Sequence, residues 1–237
     1  MKKITFVIAL FVALIATEAS SQQLKSFFDE ADAFFKTYVS NGKVDYATLH
    51  KNPTALNNVM TLAKDISIGK VEAKTAQSFW INAYNISVIR GIIDAYPIKS
   101  PLDKKGFFDK TKYELAGTKI TLNDIENKKL RAAYGDARFH FVLVCGAKGC
   151  PPIIAKAYTP AILEQLLEKQ TILALNNPKF IQVSGKKVAF SEIFKWYKED
   201  FVKEGTEIDF LNKYRKEKVP ANAKVTYYSY DWRLNAK

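Results

Sequence analysis

The chain is poor in the residues that usually announce chemistry. Two cysteines and two histidines in 237 residues leave a multi-histidine metal centre short of ligands before any geometry is considered. Beyond residue 21 no apolar run approaches the ~18 residues a membrane-spanning helix needs, which excludes a helical membrane protein from that point on. The 36 lysines and arginines form no arginine-rich cluster. The net charge of +12 therefore reads as a solvated basic surface, and no nucleic-acid partner is expected. No internal repeat and no low-complexity linker breaks the chain, so a solenoid or an array is excluded and one compact unit fits better than two small lobes.

What is present begins with a leader. Residues 1–21, MKKITFVIALFVALIATEASS, carry two lysines, an apolar run from Phe6 to Ala16 and small residues at Ala19, Ser20 and Ser21. This is the pattern of a cleaved secretory signal. The run is too short to span a bilayer, and no cysteine stands at the cleavage region to carry a lipid. A soluble periplasmic or secreted domain, residues 22–237, is expected, with an uncleaved tethered form as the lesser alternative. Its length suits one domain with a substantial core. Behind a signal peptide, the anionic neighbours of a basic protein are envelope lipid or polysaccharide.

Periodicity predicts an α+β class, with helices packed on a small antiparallel sheet. Leu24, Phe27, Phe28, Ala31, Phe34 and Phe35 recur at helical spacing, as do Leu56, Val59, Met60 and Ala63. From about Thr75 to Tyr96 apolar side chains point in nearly every direction, so that helix should be central and end before Pro97. Residues 112–122 read as a hairpin turning at Gly117-Thr118, and Thr121 caps a short helix through Arg131. RFHFVLVC, residues 138–145, reads as a buried strand. A helix from Thr159 to about Asn176, a second hairpin turning at Ser184-Gly185, a helix capped by Ser191, another over Glu207 to Lys216 and a closing strand in KVTYYSYDW complete the chain.

FHFVLVCGAKGCPP, residues 139–152, holds both cysteines and one of the histidines, and three chemistries compete for it. A Cys-His nucleophile needs sulfur and imidazole within ~3 Å. On a straight strand the α-carbons of His140 and Cys145 lie ~16 Å apart, with side chains on opposite faces, which argues against local pairing. A metal site at H-x4-C-x4-C lacks its fourth ligand, because His50 is the only other imidazole. A Cys145–Cys150 disulfide across Gly146-Ala147-Lys148-Gly149 needs only a chain reversal, which two glycines permit. An exported location favours it, and closing so short a loop stabilises by roughly 2 kcal/mol. The disulfide is preferred, and two free buried thiols are the residual case.

Other polar residues sit in apolar surroundings. Asn82 and Asn85 lie on adjoining sides of one face of the buried helix, where each must find partners. They either cap backbone groups of a neighbouring loop, such as 146–152, or line a polar cleft with Trp80 and Tyr84. His140 reads as a hydrogen-bonded core histidine. Glu126, Arg131, Asp136 and Arg138 are near enough in sequence to form a charged network, by default a structural one.

FWINAYN (79–85), DIE with LR (124–131), DARFHFVLVCGAKGCPP (136–152) and YDWRLN (230–235) together resemble the domain of unknown function 547 family, widespread in exported bacterial proteins. The likeness runs from about Phe27 to the C-terminus and implies no particular activity and no cofactor. It marks Trp80, Asn82, Tyr84, Asn85, Glu126, Arg131, Arg138, His140, Cys145, Cys150 and Asp231 as the featured positions. Asn127 and Ala137 stand where that family often has histidine and proline. A buried helix followed by a sheet bearing a histidine is also similar to papain-like and transglutaminase-like folds. Those place a cysteine at the start of the helix, where this chain has Ser78, Phe79 and Trp80.

Two functional expectations follow. One is an exported domain binding an envelope ligand in a cleft near Asn82, Asn85 and His140, with Trp80, Tyr84 and Arg138 contributing. The other is a cysteine-dependent hydrolase or acyltransferase, with Cys145 or Cys150 as nucleophile, His140 as base and Glu126 orienting it. Lys148 or Arg138 would then supply the charge that depresses the thiol pKa.

Overall fold

A computed structural model describes residues 21–69 and 71–237. The expected leader lies outside the described residues except for Ser21. The fold is α+β, as the periodicity predicts. A helix over residues 21–38 turns its phenylalanine face inward, and Phe27 packs on Phe79 with ring centroids 5.0 Å apart. Thr54–Lys64 buries Leu56, Val59 and Ala63 against the same core, with Met60 partly covered. Both pack around the central helix, Ala73–Ala95, which is buried on nearly every side. It stops where Pro97 would remove a backbone donor.

Three small sheets surround these helices. β1 (Val39–Ser40) pairs with β2 (Lys43–Val44), and β3 (Lys112–Leu115) with β4 (Thr118–Thr121), both antiparallel. β5 (Ile181–Ser184) and β6 (Lys187–Ser191) form a second hairpin. β7 (Lys224–Tyr228) then joins β6 in parallel, so the third sheet is mixed where an antiparallel one is expected. The reason is the connection: helices Glu192–Trp196, Lys198–Phe201 and Glu207–Tyr214 intervene, and a helical crossover returns the chain in the same direction. Both hairpin turns sit one residue from their expected places, at Ala116-Gly117 and Gly185-Lys186. The helix expected from Thr159 begins at Leu163, and the one expected to end at Lys216 ends at Tyr214.

The largest departure is at residues 138–145, where the expected buried strand does not exist. Ala137–Phe141 is a short 3-10 helix capped by Asp136, and residues 142–145 continue as irregular backbone. The segment is buried, as its composition demands. Its backbone is satisfied without a neighbouring strand, because Asn85 donates to the Val142 carbonyl at 3.0 Å and accepts from the Val144 N–H at 2.8 Å. One side-chain amide thus does for residues 142–144 what a ladder partner does in a sheet. The straight-strand separation of His140 from Cys145 falls with the strand.

The loop 146–149 is held against the C-terminal segment. Lys148 N–H donates to the Arg233 carbonyl, Gly149 N–H to Asp231, and Asn235 N–H to Gly146. Tyr46 extends the latch by donating its hydroxyl to Asn235 at 2.7 Å. Gly146 sits at φ +82°, and a Cβ there would lie 2.6 Å from Ile92 Cδ1 on the central helix. Glycine is required by both conformation and space. Among the described residues no helix is long and apolar enough to cross a membrane.

Candidate functional site: an aromatic cavity over Glu126 and His140

Latching residues 231–235 onto the 146–149 loop brings Tyr230 and Trp232 over the cysteine loop and opens a cavity of about 250 Å³ beneath them. Its walls come from widely separated stretches. The central helix supplies Tyr84; Glu126 comes from Ile125–Arg131; His140 comes from the 3-10 helix Ala137–Phe141, with Leu143 and Cys145 from the irregular backbone after it; Trp196 ends the helix Glu192–Trp196 and Tyr197 caps it. Trp196, Tyr230 and Trp232 pack on one another with centroids 4.8 to 5.8 Å apart, and Phe108 adjoins Trp232 at 6.1 Å. Trp196 remains 44% exposed.

Glu126 reaches this cavity because of a local irregularity. Leu122–Asp124, with Thr121 accepting from the Asp124 N–H at 3.1 Å, starts the helix, and Ile125–Arg131 continues it as a π-helix. The wider turn changes which side chains share a face. Glu126 faces the cavity, while Arg131 reaches Asp200 and lies 4.7 Å from the centroid of the Tyr197 ring. Asn127, at the position where the family often has histidine, accepts from Arg131 and donates to Asn123. It braces the π segment.

His140 is 4% exposed and has carboxylates on two sides. Nε2 hydrogen-bonds Asp200 at 2.8 Å; Nδ1 faces Glu126 at 3.8 Å, beyond direct hydrogen bonding; Tyr197 stacks on the ring at 4.1 Å. Asp200 also accepts from Arg131 Nε at 2.5 Å. Burial opposes its charge, but the bonds from His140 and Arg131 prevail and hold its carboxyl well below the usual range. Burial, followed by the charge of Glu126, pushes the hydroxyls of Tyr84 and Tyr197 well above theirs. Both remain neutral donors beside a carboxylate.

Cys145 and Cys150 form a disulfide with a Cα–Cα distance of 6.4 Å, and among the described residues there is no free cysteine. The Tyr230 hydroxyl lies 3.0 Å from each sulfur. Cys145, His140 and Glu126, drawn from separate considerations in the sequence, therefore surround one cavity. The disulfide is the arrangement preferred from sequence; as an acyl-transfer set the three residues lack a free thiol, and Asp200 rather than Glu126 hydrogen-bonds the imidazole.

Of Trp80, Asn82, Tyr84, Asn85 and Arg138, expected to bind ligand beside His140, only Tyr84 lines the cavity with it. Asn82 is fully buried, donating to the Ser78 and Tyr158 carbonyls and accepting from the Tyr158 N–H. Asn85 serves residues 142–144, so the backbone-capping alternative holds for both, at loops other than 146–152. Trp80 is buried beneath Lys129, whose ammonium is 5.6 Å from its ring. Arg138 points elsewhere, bonded to Asp136 and Glu164 on the rim of a separate depression. Asp231 pairs with Arg233 at the surface. The expected charged network is therefore split between Arg131–Asp200–His140 and Asp136–Arg138–Glu164.

Sequence reasoning missed Asp200, Trp196 and Tyr197. They stand in KWYKEDF, far beyond His140 in the chain, and read locally as an amphipathic helix. Two tryptophans and five tyrosines in the final third are the available signal, since buried Trp and Tyr need polar partners.

A family model described as a protein of unknown function, DUF547, matches residues 68–173. That span is narrower than the likeness traced from about Phe27 to the C-terminus. It contains the central helix, Glu126, His140 and both cysteines, while Asp200, Trp196, Tyr230 and Trp232 lie beyond it. No curated protein and no solved structure matches the chain. Over residues 68–173, which carry the half of the cavity holding Glu126, His140 and Cys145, the chain is similar to the DUF547 family.

Proposed function

We propose that the protein is an exported binding protein whose cavity takes a small ligand with an apolar body and a cationic, hydrogen-bond-donating head. The observation that carries this reading is the make-up of the walls: six aromatic rings surround Glu126, and among the described residues no lysine or arginine lines the cavity. A cation over an aromatic face gains ~0.5–2 kcal/mol. In a site of reduced dielectric a carboxylate favours that cation further and opposes an anion. The volume of about 250 Å³ lies just below the ~300–1,000 Å³ of drug-sized pockets, so the ligand is small. An anionic envelope partner, expected from the net charge, has no place here; that attraction belongs to the lysines outside.

The cavity contains two of the three tryptophans, so intrinsic fluorescence reads its occupancy. Benzylamine, benzyl alcohol and benzoate present one body with three charges. We expect benzylamine to bind at least about tenfold tighter than benzoate, and Glu126→Gln to erase that difference. Equal or tighter binding of benzoate by the unaltered protein overturns the proposal. Export is checked by fractionating cells that express the full chain, where a cytoplasmic product retaining residues 1–21 would count against it. A cysteine-dependent hydrolase or acyltransferase has less support, because the Cys145 sulfur is bonded to Cys150 and a thiolate is what that chemistry requires.

A further inference from the structure

We infer that the Cys145–Cys150 disulfide is a directional thiol–disulfide exchange site: a small cationic thiol held in the cavity attacks Cys145, and Cys150 leaves. The class of thiol rests on the binding proposal above; the direction rests on the surroundings of the sulfurs themselves.

The two sulfurs are not equivalent. Cys145 is partly exposed and lines the cavity, whereas Cys150 is buried and does not. Access therefore selects Cys145 for attack. Cys150 Sγ accepts the backbone N–H of Cys145 at 3.0 Å and the Tyr230 hydroxyl at 3.0 Å, while among the described residues Cys145 Sγ has the Tyr230 hydroxyl alone, at 3.0 Å. The sulfur with two donors is the one better able to carry negative charge as it departs. Exchange rates depend both on which sulfur is accessible and on how readily the other leaves, and the two criteria select complementary atoms here. Burial also pushes the Tyr230 phenol well above its ordinary range, which keeps it a donor.

In the exchange, the incoming thiolate forms a bond to Cys145 Sγ as the Cys145–Cys150 bond breaks, and the electron pair of that bond goes to Cys150 Sγ. The products are a mixed disulfide on Cys145 and a Cys150 thiolate held by the Cys145 N–H and Tyr230. One disulfide replaces another, with no net oxidation. Cys150 then reverses the step, or a second molecule of the thiol displaces Cys145 and leaves as the small disulfide with the protein reduced. Glu126, on the same cavity, supplies the counter-charge for the ammonium of an aminothiol.

The test treats the oxidised full chain with cysteamine, 2-mercaptoethanol or 2-mercaptoethanesulfonate at equal thiolate concentration. Acid quenching and iodoacetamide are followed by non-reducing peptide mapping, for which tryptic cleavage after Lys148 separates the two cysteines. The expected result is the thiol adduct on Cys145 and the alkyl group on Cys150. Cysteamine should react at least about tenfold faster than the sulfonate, and Tyr230→Phe should slow all three thiols about tenfold through loss of one donor. An adduct on Cys150, an even split, or no adduct overturns the inference. A Cys145 adduct that forms equally fast with all three thiols sustains the exchange site and overturns the cationic reading of the cavity.

Discussion

Asn85→Ala is expected to lower stability by about 3–5 kcal/mol in equilibrium urea unfolding. The side chain is 2% exposed, donates to the Val142 carbonyl and accepts from the Val144 N–H. Alanine leaves both backbone groups buried without partners, at ~1–3 kcal/mol each, and adds a small cavity. Asn85→Asp keeps the acceptor but sets a carboxylate against the Val142 carbonyl, so it should not rescue the loss. Asn58→Ala, at an exposed position on the helix Thr54–Lys64, should change stability by less than ~0.5 kcal/mol. A loss below ~1 kcal/mol for Asn85→Ala would show that residues 142–144 do not depend on this amide.

Asp200→Asn is expected to cost about 2–4 kcal/mol near neutral pH, because it removes the counter-charge of a largely buried Arg131 and weakens the acceptor for His140 Nε2. The pH dependence carries the sign. The carboxyl of Asp200 is held below its ordinary value of 3.8 in the folded chain, so the unfolded chain binds the proton more readily. Its contribution is therefore fully present above pH ~4 and is lost as the pH falls through the native value. The part of the stability difference between the unaltered protein and Asp200→Asn that comes from the ionised carboxylate should shrink below pH ~4. A difference that widens in acid would mean that the Arg131 and His140 bonds are not what stabilises the ionised form.

The helical half of the fold is legible in sequence because a 3.6-residue period records which face is buried. Phe27, Phe34, Leu56 and Val59 are all at 2% exposure or less, as their spacing predicts. The central helix is legible for the opposite reason, since apolar residues on every side leave no solvent face. RFHFVLVC misleads because a short apolar run states burial without stating conformation. What satisfies its backbone at Val142 and Val144 is Asn85, more than fifty positions earlier in the chain, and no local pattern records that partnership. The direction of β7 is hidden in the same way, by helices that only the assembled fold shows to be a crossover.

The candidate site divides along the same line. Glu126, His140 and Cys145 stand out as polar or reactive residues in apolar company, and two glycines between the cysteines make the disulfide readable. Asp200 cannot be read in this manner. It lies in a helix of only four residues, among lysines and glutamates that look alike from sequence, and becomes distinct only when His140 and Arg131 arrive beside it.

Because the cavity walls are drawn from residues as far apart as Tyr84 and Trp232, an occupant bridges parts of the chain that separate on unfolding. Any compound that fits is therefore linked to the global folding equilibrium, raising apparent stability by about 2.7 kcal/mol at a hundredfold excess over its dissociation constant. The melting temperature of the unlabelled protein is thus a general detector for this site, able to search compound collections whatever the chemistry of the ligand.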